Sequence, residues 1–255
     1  MAKPGGATLR GSLGGFFEGE GAIRIAHISD THVRADGKPF KKTVDTRRAL
    51  AVCMDHLGGL EPKPDAVVVS GDLAQTATAD DYRMLKSALD GLGVPAYVIP
   101  GNMDDRSAVQ AVFSGAGYLP GEGTFLHYAI DDHPVRLIGL DSLGGDHDGH
   151  LCADRLVWLR SRLAEAPDRP TLLFMHHPPV EPGTDEPAYE GVEELAGIIA
   201  ANRQVARIAC GHLHERSERA WANTVVSVAA SVAVSRIGLA PSAAMDPDAC
   251  PVYSL

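Results

Sequence analysis

The sequence predicts an α/β fold in which mixed sheets are layered between helices. Two observations carry this expectation. In the N-terminal part, short β-branched runs alternate with helix-spaced apolar stripes, which argues for parallel strands with helices on their faces. Further on, strand pairs joined by short polar turns bring in antiparallel pairing, so the sheets are mixed.

Residues Ile23 to Ile28 read as a first strand. From Thr43 to Leu57, the apolar residues Leu50, Cys53, Met54 and Leu57 make a helical stripe. Ala66 to Val69 is a buried strand after the Pro64-Asp65 punctuation. Asp80 to Leu92 is helical, with Met84, Leu85, Ala88 and Leu89 on one side, and Ala96 to Ile99 is a third strand. Thr124 to Ile130 and Val135 to Leu140 form a hairpin around Asp131-Asp132-His133-Pro134. A helix over Ala153 to Ala164 carries Leu156, Leu159 and Leu163. Leu172 to Met175 is a strand, Val192 to Ala201 a helix and Val205 to Cys210 a strand. Trp221 to Ile237 reads as a β-branched hairpin. Cys250 to Leu255 has strand propensity without a following partner, which suits docking on a sheet edge.

The 255 residues allow one large domain or two small ones. Nothing resembling a linker lies between Ile23 and Leu239, so one domain over 22–240 is expected. A glycine-rich, flexible tail over 1–21 precedes it, and a segment over 241–255 follows it as a cap or dimer contact. Hydrophobic residues at 45% and charged residues at 22% exclude a wholly disordered chain. Lys and Arg number 23 against 33 Asp and Glu, a net charge of −10. A bulk electrostatic grip on nucleic acid or anionic membrane is therefore not expected. An anionic substrate would need local positive charge, which metal ions can supply. Four separated cysteines exclude a disulfide-dense scaffold and suit free thiols. No continuous apolar export signal and no stretch of membrane-spanning length is present, so a cytoplasmic location is expected.

Candidate ligands cluster at strand ends. Asp30-Thr31-His32, Gly71-Asp72, Gly101-Asn102, His176-His177-Pro178-Pro179 and Gly211-His212-Leu213-His214 each follow an expected strand. Open α/β sheets place their sites at that rim. In Asp30-x-His32 and His212-x-His214, residues two apart on an extended chain project to one side. A carboxylate has two oxygens, so Asp72 is able to bridge two cations, and mixed His and carboxylate donors suit Zn, Mn or Fe.

These blocks resemble the calcineurin-like metallophosphoesterases. AHISDTH at 26–32, PDAVVVSGD at 64–72, IPGN at 99–102, FMHHPP at 174–179 and CGHLH at 210–214 are similar to the class III cyclic-nucleotide phosphodiesterases and the bacterial glycerophosphodiesterases. The resemblance spans about residues 22 to 240. It implies a four-layer α/β/β/α sandwich with two mixed sheets and a centre of two divalent transition-metal ions, Fe, Mn, Zn or Co. Asp30, His32 and His214 would hold one ion, Asn102, His176 and His212 the other, and Asp72 would bridge them. With two cations about 3.5–4 Å apart, a bridging hydroxide would attack phosphorus in line with the leaving alkoxide. Asp72, Asn102 and His214 are then the catalytic candidates. His32, Asn102, Met103, His177 and His214 are the candidates facing the substrate.

The implied activity is hydrolysis of a small phosphodiester of the cyclic-nucleotide or glycerophosphodiester type. A phosphomonoesterase and a non-enzymatic scaffold are the alternatives, and a homodimer or higher homo-oligomer is compatible. One position departs from the family, whose pattern continues after Asn with a histidine that contacts the phosphate. Here Met103 stands in its place, and it has no proton to donate. His177 is expected to stabilise its turn, and Asp104 and Asp105 to cap the helix that follows. Gly145 to His150 reads as a polar or substrate-side loop. His127 and His133 read as structural or exposed, and Tyr82 and Trp158 as helix core residues.

Overall fold

The computed structural model describes residues 23–145, 148–181, 183–184, 186–234 and 252–255. The N-terminal tail, Asp146 and His147 of the polar loop, and most of the C-terminal segment lie outside the described residues.

The chain runs β1 (Arg24–Ile28), α1 (Thr46–Gly58), β2 (Ala66–Val69), α2 (Ala79–Asp90), β3 (Ala96–Val98) and α3 (Arg106–Phe113). Then come β4 (Tyr128–Ile130), β5 (Arg136–Gly139), α4 (Ala153–Ala164), β6 (Thr171–Phe174), α5 (Val192–Ala201) and β7 (Val205–Cys210). It closes with β8 (Ser217–Trp221), β9 (Thr224–Val228) and β10 (Val252–Ser254). The strands make two sheets, ordered β10-β1-β2-β3 and β4-β5-β6-β7-β9-β8. Within them, β1-β2-β3 and β5-β6-β7-β9 are parallel, and β10, β4 and β8 pair antiparallel at the edges.

Side-chain alternation sets the layers. Leu137, Leu172, Phe174 and Ala209 of the second sheet share a core with Ile25, Ile28, Val67 and Val69 of the first. Ile138, Leu173, Met175 and Ile208 point the other way, onto Leu156 and Leu159 of α4 and Leu195 and Ile198 of α5. Leu50 and Leu57 of α1, Leu85 and Leu89 of α2 and Phe113 of α3 cover the first sheet. The result is the expected four-layer α/β/β/α sandwich.

Several boundaries differ from expectation. The Asp45 side chain accepts from the backbone N–H groups of Arg47 and Arg48, so α1 begins after it, and Thr43 and Val44 belong to a tight turn instead. The last hairpin lies one strand earlier, because Trp221 ends β8 and the turn is Ala222-Asn223. Asp105 does cap α3 through Ala108 N–H. Asp104 does not; it serves the site described below.

The terminal strand is anchored beyond its ladder. Ile23 and Leu255 exchange backbone hydrogen bonds, and the Tyr253 hydroxyl lies 3.0 Å from Nδ1 of the fully buried His27. Arg207 stacks over the Tyr253 ring. Deleting residues 252–255 strips β1 of an edge partner and leaves the His27 nitrogen buried without that hydroxyl. We expect the denaturant midpoint to fall, by about 3 kcal/mol of stability. Urea unfolding of the full and shortened chains measures it, and an unchanged midpoint refutes the anchoring.

Candidate metal centre

Five parallel strands deliver their C-terminal ends to one rim, and the candidate ligands follow them. Asp30 and His32 follow β1, Asp72 follows β2, Asn102 follows β3, His176 follows β6, and His212 and His214 follow β7. The pairs Asp30-x-His32 and His212-x-His214 converge, but not through the extended backbone expected. Asp30, His32, Asp72, His212 and His214 all have positive φ, between 41° and 71°. Such left-handed backbone carries strain of about 1 kcal/mol or more per non-glycine residue, and it clusters where function fixes a geometry. The chain turns sharply off each strand and aims the side chains inward.

Glycine makes these turns possible at two points. At Gly71, φ is +100° and a Cβ would lie 2.6 Å from His176 Nδ1. At Gly211 a Cβ would lie 1.8 Å from the Ser29 hydroxyl and 2.6 Å from Asp30 Oδ2. Any side chain at either position would push a candidate ligand out of place.

The ligand atoms fall into two abutting groups. In the first, His214 Nε2 lies 3.1 Å from Asp30 Oδ1 and 3.2 Å from His32 Nε2. His32 Nε2 lies 3.6 Å from Asp72 Oδ2. In the second, Asn102 Oδ1 lies 3.0 Å from both His176 Nε2 and His212 Nδ1, and His176 Nε2 lies 3.4 Å from Asp72 Oδ1. Asp72 therefore turns one oxygen to each group.

This arrangement fits divalent cations. His176 Nδ1 lies 2.8 Å from the Ser70 carbonyl, so it must donate its proton there. In the neutral ring, Nε2 is then a lone pair, and it faces two acceptor oxygens with no proton between them. Asp30 Oδ1 is buried and faces two imidazole nitrogens, His214 Nε2 at 3.1 Å and His32 Nε2 at 3.9 Å. A cation would take the place of the missing proton and draw these donors together. Burial lowers His32 and His212 to about 4, so both are neutral, the form that ligates metal, at ordinary pH. Burial opposes ionisation of Asp30, but His214, His176 and His32 outweigh it and hold the carboxyl below its usual range.

Supporting contacts lock the ligand loops. Asp104 accepts hydrogen bonds from the backbone N–H groups of Leu73, Ala74 and Gly101 at 2.8–3.1 Å and from the Tyr82 hydroxyl. It thus ties the Asp72 loop to the Asn102 loop, and burial and then the neighbouring Asp72 carboxylate raise it to about 7. Met103 contributes its backbone N–H, which donates to Asp72 Oδ1 at 2.8 Å. Asp30 Oδ2 accepts from His212 N–H.

His177 is held by Ser142, whose hydroxyl lies 2.9 Å from Nδ1. Its ring sits 4.8 Å from that of His212, and with His176 and His212 it forms a group compact enough to hold an ion. In the polar loop, His150 is half-exposed and lies 3.4 Å from Glu190, while the Asp148 carboxylate is near enough to His212 to favour its charged form. His127 stacks on Trp158, and His133 lies 2.9 Å from the Tyr97 hydroxyl. The sequence reading missed three neighbours of the centre. They are the Ser70 carbonyl, Ser142, and Phe40, whose ring stacks on His32 at 4.7 Å between centroids. A backbone carbonyl leaves no sequence signal; Phe40, an aromatic inside a lysine-rich loop, does.

Comparison with known proteins agrees with this geometry. Residues 23–216 match the family described as calcineurin-like phosphoesterase. A probable glycerophosphodiester phosphodiesterase of Arcobacter nitrofigilis is 38% identical, with 81% of this chain and 77% of that protein covered. The 3′,5′-cyclic adenosine monophosphate phosphodiesterase of Escherichia coli is 29% identical, with 80% and 74% covered. Among solved structures, a dimetal phosphatase from Danio rerio superposes with a TM-score of 0.64 at 14% identity, over 82% of this chain and 88% of that one. Among the described residues, no helix is long and apolar enough to cross a membrane.

Proposed function

We infer, from the premise that this chain belongs to the calcineurin-like phosphoesterase family, that it is a phosphodiesterase with two divalent transition-metal ions. Asp30, His32 and His214 would hold one ion, Asn102, His176 and His212 the other, and Asp72 would be shared. The single observation that carries the reading is the pair of abutting donor groups with one Asp72 oxygen turned to each. Relatives named as glycerophosphodiester and cyclic-nucleotide phosphodiesterases support the diester class. Iron, manganese, zinc and cobalt all suit the donor set.

When bound, such ions neutralise the non-bridging phosphate oxygens and acidify a water enough for it to act as the nucleophile near neutral pH. The protein's own contribution is geometric and electrostatic. His176 is fixed in tautomer and direction by Ser70, and Asp72 is aimed by the Met103 N–H. Asp104 clamps two ligand loops, so the ligands hold their positions as charge develops on the phosphate. Burial of Asp30, His32, Asp72 and His176 excludes bulk water from the ligand side. Next to Asn102, where the family resemblance implies a histidine that contacts the phosphate, Met103 presents no proton.

The class is tested with metal-loaded protein on bis(p-nitrophenyl) phosphate and p-nitrophenyl phosphate. A higher kcat/KM is expected for the diester. A clear preference for the monoester makes the protein a phosphomonoesterase. Metal binding without turnover of either makes it a scaffold.

A further inference from the structure

In this acidic protein, positive charge concentrates beside the proposed centre. Residues 34–48 carry Arg34, Lys38, Lys41, Lys42, Arg47 and Arg48 against only Asp36 and Asp45. Arg34 and Lys38 pair with Asp36, and Arg47 with Asp45. Lys41 and Lys42 are exposed and, among the described residues, have no carboxylate within ion-pair distance.

These two lysines occupy an unusual backbone. Phe40 and Val44 exchange backbone hydrogen bonds of 2.8 and 3.0 Å, and Thr43 N–H reaches the Phe40 carbonyl at 3.2 Å. The turn between them has φ 46° at Lys41 and 70° at Lys42. Two consecutive positive φ values define a primed hairpin turn, whose favoured residues are Asn-Gly or Asp-Gly. Lysine at both positions carries strain of about 1 kcal/mol or more each.

The turn is rigidly attached to the centre. Phe40 packs with Val44, Ala233 and Val234, and Ala233 N–H reaches the Asp30 carbonyl at 3.3 Å. The Phe40 ring stacks on His32, tilted by 14°, and the Lys41 ammonium lies 5.2 Å from the Phe40 centroid. Thus Lys41 stands two ring-stacking steps from a metal-ligand candidate, held by a cation–π contact.

We propose that the Lys41–Lys42 turn is an anion-recognition element, and that the preferred substrates are phosphodiesters carrying a second phosphate on one of their ester groups. This deepens, and rests on, the phosphodiesterase reading. A diester at the centre has one negative charge, which the ions would satisfy. Two ammonium groups on this turn, without a carboxylate partner among the described residues, add recognition only for a substrate with further charge, and they steer it inward. The proposal concerns a small ligand rather than an anionic membrane, because the rest of the chain is acidic and the turn is joined to the candidate ligand His32 through the Phe40 ring.

The test compares two nitrophenyl esters that share reacting phosphorus and leaving group: thymidine 5′-(p-nitrophenyl phosphate) with and without a 3′-phosphate. Wild-type kcat/KM should favour the phosphorylated ester, and added salt should erase the advantage. Lys41→Ala/Lys42→Ala should lose about ten-fold on that ester, as expected for two rim contacts each worth about three-fold, and little on the other. Equal loss on both esters, or no wild-type preference, overturns the proposal. Binding of thymidine 3′,5′-bisphosphate against thymidine 5′-monophosphate provides a separate measurement. If neither ester turns over, the phosphodiesterase reading fails, while a bisphosphate preference lost in the double variant still supports the lysine turn as an anion site. Binding to phosphatidylserine vesicles that depends on the two lysines, with no bisphosphate preference, assigns the turn to a membrane surface and overturns it.

Discussion

Asp72→Ala is expected to give a folded protein that binds metal poorly and has lost diesterase activity by about 10³-fold or more. The expectation comes from its position. One carboxylate oxygen faces His32 of the first donor group, and the other faces His176 of the second. Alanine removes the shared donor and the acceptor of the Met103 N–H, so the second loop also loses an anchor. The fold should survive. Asp72 contributes little apolar burial, and its removal relieves repulsion with the buried Asp104 nearby. Asp72→Asn separates charge from shape. It still accepts the Met103 hydrogen bond but has only one oxygen, so it should keep one ion better than two. Elemental analysis after reconstitution, with circular dichroism for the fold, reads the result. Full metal content and wild-type activity in Asp72→Ala would remove the basis for a shared two-ion centre.

The fold was legible where a single local rule decides. Helix α4 carries strong periodicity and strand β2 an unbroken run of valines, and their ends match the expected residues. Boundaries failed where chemistry is nonlocal or the turn residues are atypical. Thr43 and Val44 look helical next to Leu50, yet they are drawn into the hairpin that presents Lys41 and Lys42. The β8–β9 turn uses Ala222 and Asn223, both with positive φ, and alanine is not a turn signal. Five strand-end motifs made the candidate ligands readable, because histidine and carboxylate types in those positions have few other uses. Their approach was not readable: the left-handed backbone at five of them replaces the extended geometry that spacing alone suggests. Asp104 illustrates the same limit. Read locally it is a helix cap, but its partners are the Leu73, Ala74 and Gly101 amides, brought together only by the fold.

Met103→His should raise kcat/KM on alkyl diesters by about 10², the lower end of what a general acid contributes, and change aryl diesters much less. An alkoxide leaves only when a proton is supplied, whereas a nitrophenolate leaves without one. Methionine donates no proton from its side chain, and the contact it does make runs through its backbone N–H to Asp72. That hydrogen bond survives any substitution at this position except proline, so the change adds an imidazole while leaving the Asp72 anchor in place. It is half-buried next to Asn102, at the position where the family resemblance implies a phosphate-contacting histidine. The pH profile provides an independent sign. A general acid works only while protonated, so the gain on alkyl esters should be present below the imidazole pKa, ordinarily about 6.5, and fade as pH rises through it. Wild type should lack that descending limb. If Met103 merely packs at the rim, both ester classes change by the same small factor and no new limb appears. If another group already protonates the alkoxide, wild type turns over alkyl diesters well, Met103→His adds nothing, and the half-exposed His150 is the first residue to replace. Four rate constants, for one alkyl and one aryl diester in each protein, separate these outcomes.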